Sequence, residues 1–218
     1  MPSTIVHLAF AGLLAAALLG EAYGRTSVVI VLVVVAFPDL DSFLALVYPP
    51  AHRTVLHTRV IPILGGLFLW VDLRYREESF IRQCWGGWGL RVAWVSAVAY
   101  AVSAIGLDMV DGVVNLLWPL HDQFYTLRGS LELSNQRGIV QTFVEFGDSS
   151  VPQPTSAGTT ETLQPTTGVE PSPGEEPETE PERIFPVFRA GWQLLLFLVG
   201  TAVTIARFKL PQELPGEE

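Results

Sequence analysis

The sequence predicts an all-α integral membrane protein: a helical bundle of four to five transmembrane helices, with a small extramembrane hairpin and a disordered acidic linker. Two observations support this fold class. Apolar residues are concentrated in long runs, and the mean hydropathy of the 218-residue chain is +0.37. The acidic residues are concentrated in one segment rich in proline and threonine. The five apolar runs are residues 4–20, 26–37, 60–71, 90–107 and 185–206.

Run length decides which of these segments can cross a bilayer. A spanning helix needs roughly 20 apolar residues, or about 17 at the short end. The first, fourth and fifth runs reach that length, whereas the second and third need flanking residues as well. An isolated run of about a dozen apolar residues is equally compatible with a buried core helix. The first run lacks a preceding basic segment and contains His7, so we interpret it as a mature span rather than a cleaved signal peptide.

These features divide the chain into four predicted parts. Residues 1–120 form the transmembrane bundle that carries the candidate site, 121–147 an extramembrane hairpin segment, 148–183 a disordered linker, and 184–218 a last transmembrane helix with a short tail. The hairpin is expected because residues 130–133 and 139–144 alternate apolar and polar side chains on either side of a turn-like stretch. Two interpretations of it stay open, a lid on the site or a cap on the bundle.

The net charge of −9 is local rather than general. Eight of the 22 acidic residues lie between Asp148 and Glu182, where there is no basic residue. This stretch is dense in Pro, Thr, Ser, Gly and Glu and cannot bury enough apolar surface to offset its ordering entropy, so disorder is expected. The remaining chain has no basic patch for nucleic acid. Its single lysine, Lys209, fits a salt-loving archaeal or bacterial host, and the single Cys84 excludes an internal disulfide and a multi-cysteine zinc site.

Arginine placement predicts the orientation in the cell membrane. Basic residues follow the third run and the last run, and the positive-inside rule places both positions in the cytoplasm. With five crossings, the N-terminus, the loop from Asp39 to His57 and the segment after Asp108 then lie together on the outer face. The prediction depends on the third run crossing the bilayer. The basic residues are Arg74, Arg76, Arg82, Arg91, Arg207 and Lys209.

Histidines and aspartates lie where apolar runs meet polar ones, which suggests a metal site. Hydrolysis at a metal needs about three or more His or carboxylate ligands, an open position for water and a group that moves protons. Asp39 and Asp41 point apart in a helix but can converge from a turn, and Pro38 is well placed to end the helix. His52 and His57 are five residues apart, a spacing that favours a loop-to-helix junction.

Two further side chains have candidate catalytic roles. Arg53 can form a forked contact with a phosphate or carboxylate. Asp108 lies in an otherwise apolar helix, where an ionisable side chain is costly and is a functional hypothesis by default. The alternative is that aspartate and arginine only pair at helix ends, and for any one residue this alternative is the more common. Taken together, the residues favour the metal interpretation.

Four segments carry a resemblance to a known family. Residues 4–7 (TIVH), 37–41 (FPDLD), 52–57 (HRTVLH) and 107–120 (LDMVDGVVNLLWPL) resemble the YdjM-like family of small membrane proteins. That family is described as membrane-bound metal-dependent hydrolases and in part as LexA-binding inner-membrane proteins. The similarity spans residues 1–145 in the right order. It implies a metal and catalytic set that consists of His7, Asp39, Asp41, His52, His57 and Asp108.

One position departs from the family pattern. The family often has a histidine four residues before the aspartate that matches Asp108, and this chain has Ala104 there. Two ligands on one helical face are thereby reduced to one. Asp111 and His121 are candidate replacements.

The function expected from these residues is hydrolysis of an unidentified substrate, lipid or phosphate-containing, at one or two divalent ions (zinc, manganese or magnesium). Asp108 would be a ligand or general base, Arg53 would stabilise negative charge, and membrane lipid is the expected partner. A non-catalytic membrane protein with a structural or regulatory site that binds a metal or a partner is the alternative. A transporter is disfavoured because no internal duplication is evident.

Overall fold

The computed structural model describes residues 2–145, 153–174 and 180–210. The described residues form helices together with two small antiparallel sheets, so the all-α prediction is wrong. The strands that it missed have only two to six residues each. Such short strands give little periodic signal beside long apolar helices.

Each apolar run coincides with a helix. A short 3-10 turn, Phe37–Leu40, joins the second helix to the third, and a π-helical segment, Tyr100–Gly106, joins the fifth to the sixth. The helices are α1 (Thr4–Leu18), α2 (Arg25–Ala36), α3 (Asp41–Leu44), α4 (Val60–Tyr75), α5 (Phe80–Ala99), α6 (Leu107–Asp111) and α7 (Gly191–Lys209).

Among the described residues, three helices are long and apolar enough to cross a membrane, so the prediction of four to five spans is wrong. The first, Arg25–Leu44, runs from α2 through the 3-10 turn to α3. The second, Phe80–Asp111, runs from α5 through the π-helical segment to α6, and the third, Gly191–Lys209, is α7. The helices α1 and α4 have 15 and 16 residues. At 1.5 Å per residue, each is about 24 Å long or less, short of the roughly 30 Å hydrocarbon core. The outer-face orientation was traced through five crossings and loses that basis.

One compact unit is helical and consists of Ser3–Ala36, Pro62–Ser103 and Val187–Glu218. In this unit α1 packs against α2 and α7, and α2 packs against α5. The α1–α7 approach is close: a Cβ atom on Gly200 would lie 2.4 Å from the Ala9 carbonyl oxygen. The Tyr23 hydroxyl donates to the Thr204 carbonyl at 2.8 Å and ties the start of α2 to α7.

An acidic side chain inside α4 has a structural explanation. Asp72 is buried, and its carboxylate accepts hydrogen bonds from the Ser79 hydroxyl at 2.5 Å and the Phe80 amide at 2.9 Å. These donors belong to the first turn of α5, where helical amides have no intrahelical partner. Asp72 therefore caps α5 across the turn between the two helices.

The other unit consists of Met1–Pro2, Phe37–Ile61 and Ala104–Pro186 and contains every strand of the described residues. Strands β1, β2, β6 and β5 form an antiparallel sheet in that order, and β3 pairs with β4 as a separate hairpin. Val114, Phe124 and Met109 are buried in its core. The strands are β1 (Val114–Leu117), β2 (His121–Thr126), β3 (Leu131–Ser134), β4 (Gly138–Gln141), β5 (Val144–Glu145) and β6 (Gln153–Gly158).

The hairpin expected in residues 121–147 is present as β3 and β4, with Leu133 opposite Ile139. The disorder expected for residues 148–183 is contradicted at β6, which pairs with β2 and β5. Strand pairing satisfies the hydrogen bonds of backbone groups and needs no burial of apolar side chains. Amino-acid composition does not reveal this contribution to order. The predictions for residues 146–152, 175–179 and 211–218 lie outside the described residues.

Candidate functional site

The Asp41 carboxylate lies at the centre of a buried polar cluster. It begins α3, immediately after the turn that Pro38 helps to form, and its side chain is fully buried. Its Oδ1 atom lies 2.8 Å from Nδ1 of His52, and its Oδ2 atom lies 2.7 Å from Nδ1 of His57. Because a carboxylate only accepts, both imidazoles carry a proton on Nδ1 and donate it to Asp41.

The backbone of Arg53 turns the chain so that both histidines reach Asp41. Arg53 has φ of +61°, in the left-handed region that a residue with a Cβ atom rarely adopts. Two hydrogen bonds hold this conformation: the Arg53 amide donates to Asp41 Oδ2 at 3.1 Å, and the Asn115 amide donates to the Arg53 carbonyl at 2.9 Å. The loop is therefore attached both to α3 and to β1.

The Arg53 side chain is buried, and both of its terminal nitrogens donate hydrogen bonds at the end of α6. Nη2 donates to Asp108 Oδ1 at 3.0 Å, and Nη1 donates to the Val113 carbonyl at 3.0 Å. Burial lowers the pKa of the guanidinium, and the negative charge of Asp108 opposes this shift. Gly112 makes room for the group, because a Cβ atom there would lie 1.9 Å from Nη1.

The second nitrogen of His57 faces two carboxylates. Nε2 is buried and has no hydrogen-bond partner of good geometry. It lies 3.3 Å from Asp108 Oδ2 and 3.5 Å from Asp39 Oδ1. Burial alone would lower the pKa of His57, but the charge of Asp41, the contact with Asp39 and the charge of Asp108 outweigh it and raise the pKa to about 10. Without a bound ion, the His57 imidazolium is thus the cation that these carboxylates surround.

The side chains of the cluster have the donor types of a divalent-ion site but not its present arrangement. Among the residues that the structure describes, no group of three or more His, Cys, Asp or Glu side chains could hold a metal ion as it stands. Asp41 uses both oxygens on imidazoles, and Arg53 takes one oxygen of Asp108. The donor types nevertheless suit zinc, and the distances from His57 Nε2 match the roughly 3.0–3.6 Å between two ligands of one ion bound at about 2.0–2.2 Å.

The structure brings together most of the candidate residues. Asp39, Asp41, His52, Arg53, His57 and Asp108 all belong to the strand-containing unit and form the cluster described above. His7 belongs to the helical unit. There it is buried, its Nδ1 lies 2.7 Å from the Ser103 carbonyl oxygen, and the Ser103 hydroxyl donates to its backbone carbonyl at 2.7 Å. These contacts join α1 to the π-helical segment.

Ala104 stands where the family often has histidine, and Asp111 and His121 are its candidate replacements. The three positions differ in environment. Ala104 is buried in the π-helical segment, one turn before Asp108. Asp111 is half-buried, and its negative charge acts on Arg53. His121 is exposed on β2, where Nε2 lies 3.1 Å from the Tyr125 hydroxyl. Asp111 is therefore electrostatically coupled to the cluster, whereas His121 pairs with an aromatic neighbour on its own strand.

Sequence reasoning missed Gly112 and Asn115, which support the cluster without offering metal ligands. Gly112 leaves space for the guanidinium, and Asn115 holds the Arg53 backbone. A glycine directly after a charged helix end was the available signal for the first. The role of Asn115 depends on a backbone contact across the fold, which leaves no pattern in the sequence.

Three candidate membrane spans and a buried cluster of carboxylates and imidazoles define an integral membrane protein with a charged cluster held inside its fold. The chain belongs to the YdjM inner membrane protein family, which matches residues 1–160. It is accordingly a membrane protein. No curated protein and no solved structure matches it.

Proposed function

We propose that this chain is a membrane-bound metal-dependent hydrolase in which His57 Nε2, Asp39 and Asp108 hold a divalent ion, zinc, manganese or magnesium. The observation that carries the proposal is the buried Nε2 atom of His57, which lies between two carboxylates while Nδ1 is bound to a third. When bound, such an ion supplies a Lewis acid that lowers the pKa of a water molecule towards about 7 and polarises the scissile bond.

The remaining side chains have supporting roles in this proposal. Asp41 fixes the tautomer and the orientation of His52 and His57 through their Nδ1 atoms, the usual function of a carboxylate behind a metal-binding histidine. Asp41 then acts as a positioning residue rather than as a ligand. Asp108 keeps the role that was expected from the sequence, as a metal ligand or a general base.

Arg53 is also a positioning residue in this proposal. Its guanidinium is buried against Asp108 and Val113, so it holds the Asp108 carboxylate with Oδ2 directed towards His57. Because the side chain is buried, contact with an anionic substrate would require Arg53 to move. In this arrangement, the negative charge that Arg53 stabilises is that of the Asp108 carboxylate.

A lipid or another phosphate-containing molecule is the proposed substrate class. Asp41 and Asp108 lie within the candidate spans Arg25–Leu44 and Phe80–Asp111, at the end of each. The Asp39 side chain is 26% exposed, more than any other side chain of the cluster. A substrate held at the membrane surface would approach from that side.

Metal content is the direct test. Protein purified in mild detergent is analysed for metals as the wild type, as His57→Ala and as His121→Ala, a matched change of an exposed histidine. We expect near-stoichiometric zinc or manganese in the wild type and in His121→Ala, and its loss in His57→Ala. Phosphoesters and lipids are then screened for hydrolysis. No bound metal after reconstitution with zinc, manganese and magnesium would overturn the proposal.

A second candidate function is a non-catalytic membrane protein in which the cluster is structural. The observation in its favour is that Asp41 binds both imidazoles and the Arg53 amide, while Arg53 binds Asp108, so the cluster joins the α3 loop to α6 without an ion. In this case a chelator leaves Tm unchanged and no hydrolysis is found. A Tm that falls with chelator, together with metal-dependent turnover, favours the hydrolase.

A further inference from the structure

The β3–β4 hairpin has one strongly apolar face. In an antiparallel pair, residues directly opposite each other share a face, and alternate residues along a strand do so as well. Leu133 lies opposite Ile139, and Leu131 lies two residues away on the same face. These three side chains are 67% (Leu131), 84% (Leu133) and 74% (Ile139) exposed. The hairpin thus presents an aliphatic patch that consists of Leu131, Leu133 and Ile139.

The opposite face of the hairpin is more polar. Glu132 pairs with Val140 across the strands, and its carboxylate lies 3.5 Å from the Arg137 guanidinium. The hairpin is therefore amphipathic. A two-stranded hairpin is at best marginally stable in water unless its apolar face is covered. The aliphatic patch requires a covering surface.

The chain that leads into the hairpin is tied to the end of a candidate membrane span. The Leu127 amide donates to the Met109 carbonyl at 2.8 Å, and the Arg128 guanidinium donates to the Asp111 carbonyl. Met109 and Asp111 are in the last turn of the span Phe80–Asp111. The hairpin consequently starts where the span ends.

Chain length limits how far the first residue of the aliphatic patch can be from the bilayer. Leu131 is three residues beyond Arg128, so it lies within about 11 Å of it at full extension. The headgroup region adds roughly 5–8 Å on each side of the hydrocarbon core. Arg128 and Arg137, at the base and the tip of the hairpin, suit the phosphate level of such a surface.

We propose that the aliphatic patch is an interfacial membrane anchor whose partner is the phospholipid bilayer next to the span Phe80–Asp111. Leu131, Leu133 and Ile139 insert at the boundary between headgroups and acyl chains, and the Glu132 face stays in water. The anchor holds the sheet of this unit against the membrane surface. It is independent of any metal at the cluster.

Spin labels at introduced cysteines test the insertion of the aliphatic patch directly. Cys84 is the single cysteine of the chain and is exposed, so one substitution removes the background label. In a Cys84→Ser background, the full chain is labelled at Leu133→Cys, at Ile139→Cys and, as the matched control on the polar face, at Glu132→Cys. The protein is reconstituted in phosphatidylcholine–phosphatidylglycerol vesicles. Collision rates are measured with oxygen, which concentrates in lipid, and with a water-soluble nickel chelate.

The expected result alternates along the hairpin. Labels at positions 133 and 139 collide several-fold more with oxygen than with nickel, and the label at 132 shows the reverse. Equal exposure of all three labels to nickel would place the patch in water and overturn the proposal. Spin–spin broadening at 133 that disappears on dilution with unlabelled protein would assign the patch to a second copy of the chain and also overturn it.

Discussion

The imidazole of His57 donates from Nδ1 to Asp41 Oδ2 at 2.7 Å, and both side chains are fully buried. This hydrogen bond decides the orientation of the ring, because it leaves Nε2 as the only nitrogen directed to Asp39 and Asp108. Whether the cluster holds a proton or an ion at Nε2, Asp41 is the side chain that prepares it. Variants of Asp41 should therefore affect every property of the cluster.

Replacing Asp41 by asparagine should strongly destabilise the protein. An amide keeps the size of the carboxylate but removes the charge and one acceptor, so His52 and His57 cannot both donate as they do now. Removing one partner of a buried charged pair costs about 3–5 kcal/mol. Thermal unfolding in detergent should show a large fall in Tm and, if the cluster binds metal, a parallel loss of metal.

Glu132→Gln is the control for Asp41→Asn, because it removes a carboxylate from an exposed pair. An exposed ion pair contributes about 0–1 kcal/mol, so its Tm should stay close to that of the wild type. Equal Tm values for the two variants would contradict a central role for Asp41.

Replacing Gly112 by alanine should disrupt the Arg53–Asp108 contact. The added Cβ atom would lie 1.9 Å from Arg53 Nη1 and 2.8 Å from its Cζ atom, so the guanidinium must move. Inserting a methyl group into a packed site typically costs about 1–3 kcal/mol. The prediction is a lower Tm together with weaker metal binding, measured by competition with a chromophoric chelator.

Gly65→Ala is the matched change for Gly112→Ala. Gly65 lies in α4, and a Cβ atom there meets nothing within 4 Å. Alanine is favoured over glycine in a helix by up to about 1 kcal/mol, so this variant should be as stable as the wild type or slightly more so. A Tm for Gly112→Ala as high as that of Gly65→Ala would show that Arg53 can relocate without loss.

Acid should release the segment that follows β6. Partial burial tends to raise the pKa of Asp122, but hydrogen bonds from Thr160 and Asn115 outweigh it and lower the pKa below its usual value of about 4. A lowered pKa in the folded state means that the contribution is complete above the unfolded pKa and is lost as the pH falls through the folded value. Hydrogen exchange of residues 159–163, corrected for intrinsic rates, should therefore increase below about pH 4.

The Asp122→Asn variant separates this effect from general acid unfolding. Asparagine retains one acceptor for Thr160 but cannot titrate, so exchange of the same residues should lose most of its dependence on pH between about 2 and 5. An unchanged dependence in Asp122→Asn would attribute the release to another acidic group.

The apolar runs were sufficient to locate the long helices, because burial in lipid or against another helix requires continuous apolar sequence. They could not give the number of spans, since α1 and α4 are apolar yet end after 15 and 16 residues. Strand β6 could not be predicted from composition. It pairs with β2, and Asp122 of β2 binds Thr160 just after it, so both contacts join residues that are distant in sequence.

The candidate site was partly predictable. Asp41, His52 and His57 lie within a short stretch, so their convergence required only a turn at Pro38 and a loop. The pairing of Arg53 with Asp108 joins residues 55 positions apart and depends on the space at Gly112. His7 could not be assigned from sequence, because its position at the end of an apolar run does not indicate its contact with Ser103.

The Ala104 position allows a gain-of-function test of the metal proposal. Ala104 is buried one turn before Asp108, where the family often has histidine, so Ala104→His places an imidazole next to the cluster. The larger side chain overpacks the site and should lower Tm in the presence of a chelator. Zinc should then raise Tm more in Ala104→His than in the wild type, since a ligand at 100 times its Kd stabilises by about 2.7 kcal/mol.

Ala104→Phe, which adds similar bulk without a ligand atom, should show the same loss in chelator and no extra gain with zinc. Equal zinc responses in the two variants would mean that position 104 does not face an ion, and the departure from the family pattern would then have no bearing on metal binding.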